Sequence, residues 1–165
     1  MLIATRFAFL VLICCFIEAA PAPHTVLGIP RPMNVQARTF ERVVHLAPPG
    51  PNDSRYTYVP FDVPRQTVRI NISYQYDRAN GANTIDIGLF DARSTNSDTD
   101  PNGFRGWSGG RRSEFFVSRE AATPGYMPGE MPAGTWRIIL GLYRVAPAGV
   151  DVSFKIAEVP TPARP

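Results

Sequence analysis

Cysteine is nearly absent from this chain of 165 residues. The two present, Cys14 and Cys15, both lie in one apolar run near the N-terminus. If that run is a cleaved leader, the mature chain has no thiol. Disulfides, thiolate nucleophiles and cysteine-bound metals are then excluded. Histidine is almost as scarce, with only His24 and His45. That leaves little for a transition-metal centre, or for a serine-histidine relay using a downstream base. Lysine occurs once, at Lys155, among 17 basic residues. The net charge of +3 is mild and gives no argument for nucleic acid. The arginine-over-lysine bias, beside so much proline and alanine, reads as genome composition rather than function.

Long hydrophobic runs are missing too, apart from Phe7 to Ile17. Preceded by Arg6, that run has the length of a signal-peptide core and is too short to cross a bilayer. Cleavage is expected after Ala19, making residues 1–19 a signal peptide. The mature protein is then secreted, or periplasmic in a bacterium, with no membrane segment. Residues 20–37, with Pro21, Pro23, Pro30 and Pro32, read as a linker, because proline lacks an amide donor and disfavours helix.

What remains alternates. Val68, Ile70, Ile72, Tyr74 and Tyr76 share one phase, and Arg69, Asn71, Ser73 and Gln75 the other. That period of two marks a half-buried antiparallel strand. Similar segments are expected over 38–47, 55–63, 84–90, 114–118, 135–145 and 150–159. Pro60 marks an edge or bulged strand. Asn80-Gly81 supplies the left-handed residues of a turn. Seven or eight strands joined by Pro/Gly turns predict an all-β antiparallel sandwich, jelly-roll-like, over residues 38–159. Residues 160–165 read as a disordered tail.

Several constellations invite a chemical reading. Gly106-Trp-Ser-Gly-Gly110 has the spacing of a nucleophile elbow, but no helix follows Ser108 and no histidine lies downstream, so a glycine-rich turn is the better reading. Asp98, Asp100 and Asn102, followed by Gly103, have the spacing of the first half of a calcium loop. The bidentate glutamate at position twelve is missing, and Gly109 stands there. Calcium is the one candidate cofactor, and a plain polar turn is the competing reading. A catalytic carboxylate pair has no sequence signature. Asp86 is expected to pair with an arginine such as Arg69. Asn52 and Asn71 begin glycosylation sequons, relevant in a eukaryotic host.

Phe104, Arg105, Trp107, Arg111, Arg112 and Tyr126 gather among glycine and proline. Aromatic faces with guanidinium groups beside them suit sugar rings and their hydroxyls or carboxylates. The same aromatics would equally serve as a cap on the core or an interface with another domain.

Five segments carry a family resemblance: Tyr58-Val-Pro-Phe-Asp-Val63, Asp86-Ile-Gly-Leu-Phe-Asp91, Gly103-Phe-Arg-Gly-Trp-Ser-Gly-Gly110, Ala122-Thr-Pro-Gly-Tyr126 and Pro132-Ala-Gly-Thr-Trp136. Together they resemble the N-terminal β-sandwich domain of carbaryl-hydrolase-type metallohydrolases of the PHP superfamily, over about residues 38–159. In that family the sandwich precedes a metal-dependent hydrolase domain that begins with a His-x-His motif. No such motif occurs here, so no catalytic residue carries over. The resemblance implies a non-catalytic accessory module that docks or targets, with a PHP-type metallohydrolase domain as partner. The alternatives are a stand-alone carbohydrate-binding module, with a polysaccharide as partner, and a small secreted hydrolase.

Overall fold

The computed structural model describes residues 37–94 and 101–162. The expected signal peptide and almost all of the linker lie outside them. Eight strands follow in order: β1 (Arg38–Leu46), β2 (Tyr56–Val63), β3 (Thr67–Tyr76), β4 (Thr84–Phe90), β5 (Phe104–Gly109), β6 (Glu114–Ser118), β7 (Gly134–Arg144) and β8 (Val150–Pro160). A single 3-10 turn, Ala79–Gly81, sits between β3 and β4. The last strand runs one residue beyond the expected boundary, and Thr161 donates to the Gln66 carbonyl through its amide at 2.7 Å.

The strands form two four-stranded antiparallel sheets. Sheet A has the order β1-β8-β3-β6, and sheet B the order β2-β7-β4-β5. First pairs with last, second with seventh, third with sixth and fourth with fifth. The chain is one long hairpin rolled up on itself, the topology of a jelly roll. The expected all-β sandwich is therefore the fold.

Alternation decides which side chains meet between the sheets. Ile70, Ile72, Val152, Phe154 and Ile156 point inward from sheet A, and Ile85, Ile87, Leu89, Trp136, Ile138 and Leu140 from sheet B, all essentially without solvent contact. Each contributes about 1.5–3 kcal/mol by leaving water. Trp136 also places its indole N–H on the Pro132 carbonyl at 2.8 Å, so its one polar group is satisfied. The edges carry safeguards against stray pairing. Pro60 interrupts the donor row of β2. Arg42 on β1 reaches across the open side of the sandwich to the Pro60 carbonyl at 2.8 Å.

One inward residue is out of character. Glu158 on β8 is 2% exposed, and neither carboxylate oxygen has a hydrogen-bond partner. Burial pushes its carboxyl above the ordinary range; Arg38 opposes this and Asp62 adds to it. A raised carboxyl stabilises the fold fully below the ordinary carboxylate pKa and loses that contribution as pH climbs through the folded value. Glu158→Leu is therefore expected to raise stability at pH 7 by about 1–3 kcal/mol, and by much less near pH 4. Urea unfolding at the two pH values checks this; an equal gain at both would show that charge burial is not the cause.

Candidate functional site

The expected strands did not include β5, around which the candidate residues gather. Its neighbours explain the arrangement. One side of β5 pairs with β4 through two register shifts. The other side is covered by the loop after β6: Trp107 N–H donates to the Gly125 carbonyl at 3.1 Å, and Met127 N–H to the Arg105 carbonyl at 2.8 Å. That loop supplies the pairing that a ninth strand would.

Arg105 and Tyr126 lie on the inner side. Arg105 is 2% exposed. Its Nε donates to the Met127 carbonyl at 3.0 Å and its Nη1 to the Glu130 carbonyl at 2.7 Å. The Asp91 carboxylate stands 3.4 Å from Nη1, and the guanidinium lies 5.2 Å from the Trp136 ring centre. Burial pushes this guanidinium below its ordinary value and Asp91 opposes the shift; arginine keeps its charge regardless. Asp91 is itself fully buried and also accepts a fork from Arg93. Tyr126 stacks on Phe115 with ring centres 3.9 Å apart. Its hydroxyl shares a 3.0 Å hydrogen bond with Ser108, and burial pushes its pKa up to about 12, against that bond and nearby Arg112. These two residues fasten the loop to the core.

Trp107 faces outward, on the exterior of sheet B. Its six-membered ring rests on Gly88 of β4 and Gly141 of β7. A Cβ on Gly88 would stand 2.5 Å from Trp107 Cε3, and one on Gly141 2.9 Å from Cη2. The two mid-strand glycines form the floor on which the indole lies. Tyr56 meets it edge-on at 6.2 Å. Beside Trp107 opens a cleft of about 530 Å³, bordered by Arg111 and Arg112 in the β5–β6 turn and by Pro124 and Gly125. Three of the six candidate residues thus line one cleft. Phe104 is on the same sheet face farther along β5, against Phe90 at 5.1 Å.

The chain matches no family model, no curated protein and no solved structure.

The remaining candidates are scattered. Asp98 and Asp100 lie outside the described residues, and Asn102 is exposed in the loop before β5. Among the described residues no three His, Cys, Asp or Glu side chains come together as a metal site. Asn52 is exposed in the turn after β1. Asn71 is on the exterior of sheet A, its Oδ1 accepting from Arg69 Nε at 2.8 Å. Asp86 does not pair with Arg69: it stands on the exterior of sheet B, where burial pushes its carboxyl up and the Gly110 amide pulls it down. Arg69 belongs to the other sheet and lies 3.6 Å above the Phe116 ring. Ser108 is within a strand, its hydroxyl engaged by Tyr126. His45 Nδ1 meets Asp151 at 2.7 Å on the surface, and among the described residues no hydroxyl is bonded to the ring.

Sequence reasoning passed over Tyr56, Gly88 and Gly141. A signal for them existed. Glycine in mid-strand marks a close approach, and Tyr56 and Tyr58 share the outward phase of β2.

Proposed function

We propose that this chain is a non-catalytic accessory module of a secreted protein, whose outer sheet-B face holds a partner surface. The observation carrying this reading is the difference between the two outer faces. The exterior of sheet A is polar and charged along β8 and β3. That of sheet B exposes Tyr56 at 49%, Phe104 at 37% and Tyr143 at 70%, with Trp107 beside them. A face that exposes several aromatic rings is the kind of surface a protein partner covers. The resemblance of the segments around β2, β4 and β5 supports a PHP-type metallohydrolase domain as that partner. A second reading, a carbohydrate-binding module, is favoured by the cleft beside Trp107.

Calorimetric titration of the mature chain with a PHP-type metallohydrolase domain tests the first reading. Binding is expected to weaken at least ~10-fold when Tyr56, Phe104 and Tyr143 are all changed to serine. Tyr56 and Phe104 also pack on Trp107 and Phe90, so the unfolding midpoint of the variant is measured alongside and binding is read well below it, with Tyr143→Ser alone as the variant that leaves those contacts intact. Undiminished binding by the triple variant, or metal-dependent ester or carbamate hydrolysis by the chain alone, sinks the proposal.

A further inference from the structure

The cleft beside Trp107 has a neighbour around the edge of the sandwich. A second cleft, of about 540 Å³, opens on the exterior of sheet A. The two share Arg112, which stands at the turn from β5 to β6. Since β5 is the edge of sheet B and β6 the edge of sheet A, the two clefts flank the rim of the sandwich, and a ligand crossing Arg112 would treat them as one groove.

The groove is charged with one sign in excess. Arg111 and Arg112 line its first arm or its corner, and Arg69 and Lys155 its second, against one acid, Glu114. None of these five side chains forms an ion pair among the described residues. Among the described residues Arg69 hydrogen-bonds through Nε alone, to Asn71, and its two terminal nitrogens have no partner there. A fold that buries the charge of Arg105 against Asp91 thus leaves four other cations in the two clefts outnumbering the single acid there. Between them lie short polar groups, Asn71, Ser73 and Thr123, suited to hydroxyls.

We infer that this groove binds an extended acidic polysaccharide, its carboxylate or sulfate groups on the four cations and one sugar ring against Trp107. The inference rests on the reading of the chain as a non-catalytic binding module and names a ligand class for the cleft beside Trp107, which adjoins the docking face. A single-stranded nucleic acid fits less well. Its bases need free aromatic faces along the path, and the one ring in the second arm that could serve, Phe116, already carries the Arg69 guanidinium at 3.6 Å.

The test uses the mature chain and four probes: a polygalacturonate oligomer, a sulfated glucan oligomer, a neutral xylan oligomer and a single-stranded DNA of similar length. Calorimetry is run at low salt and at 0.5 M sodium chloride. One or both acidic glycans are expected to bind at low salt, at least ~10-fold tighter than xylan, and to release at high salt. Which of the two binds tells carboxylate from sulfate. Each cation is worth roughly 5-fold, so the Arg111→Gln/Arg112→Gln pair and the Arg69→Gln/Lys155→Gln pair should each weaken binding ~25-fold. The singles Arg112→Gln and Lys155→Gln, which leave the Arg69–Phe116 contact intact, should each show about the 5-fold loss. Xylan binding as tightly as the acidic glycans, DNA binding tighter than both, or indifference to the sheet-A pair and to Lys155→Gln overturns the inference. So does the absence of glycan binding from a chain that still docks its protein partner, and that outcome leaves the accessory-module reading standing. Hydrolysis of any probe by the chain sinks that reading instead.

Discussion

Replacing Arg105 by methionine is expected to cost about 3–5 kcal/mol of stability, because it removes one partner of a buried, hydrogen-bonded charge cluster. Methionine keeps most of the side-chain volume against Trp136, so packing is a small part of the loss. What disappears is the donor set. The Met127 and Glu130 carbonyls lose their donors, and the fully buried Asp91 keeps only the more exposed Arg93. Each orphaned buried acceptor costs about 1–3 kcal/mol. Arg105→Lys restores the charge but not the planar fork, which now reaches two carbonyls at once, so roughly half of the loss should remain. Urea unfolding measures the cost, and amide exchange locates it. Faster exchange confined to residues 121–133 is expected in the lysine variant. A methionine variant as stable as the wild type would mean that water replaces the guanidinium at no cost.

The second large effect belongs to Gly106→Ala. Gly106 has φ +127°, where an L side chain is strained, and its Cβ would stand 2.3 Å from the Gly125 carbonyl oxygen and 2.5 Å from Tyr126 Cα. Both obstacles are backbone, so no rotamer change relieves them. The covering loop must leave β5, and with it go the Trp107-to-Gly125 and Met127-to-Arg105 hydrogen bonds. Strain and overpacking together amount to about 3–5 kcal/mol. Gly129→Ala is the control. Its φ is +147°, but nothing lies within 4 Å of the added Cβ, so strain alone should appear, about 1–2 kcal/mol. Equal losses at the two positions would show that the close approach of the loop is irrelevant.

These two residues also show where the sequence could and could not be read. Seven strands follow from alternation because their inward residues are apolar. The eighth, β5, hides because it breaks that rule: an arginine points inward, a tryptophan outward, and two glycines accompany register shifts. Inward Arg105 is intelligible only once Asp91 and the loop carbonyls are seen to converge on it, and that convergence is tertiary. The same holds for Glu158, which continues the inward phase of β8 where an apolar residue is expected. The candidate residues were close in sequence for two different reasons. Trp107, Arg111 and Arg112 border one cleft, whereas Arg105 and Tyr126 pin the loop beneath them. Residue type alone does not separate those roles, since both use arginine and an aromatic ring. The far arm of the basic groove comes from β3 and β8, and pairing across the whole chain brings it beside Arg112.

The rolled hairpin sets the order in which such a chain can assemble. Pairing first with last makes Arg38 and Glu158 neighbours, the kind of distant contact that slows folding of β-proteins to milliseconds or seconds. Yet the pairs are nested. Once β4 and β5 have met, β3 and β6 start close together across short turns, whereas β2 and β7 must also close the longer loop between β6 and β7. The search becomes a zipper running from the middle of the chain outward. The closure that starts it is made by β5, the strand with the least regular sequence and the one whose open side is covered by the loop that Arg105 fastens.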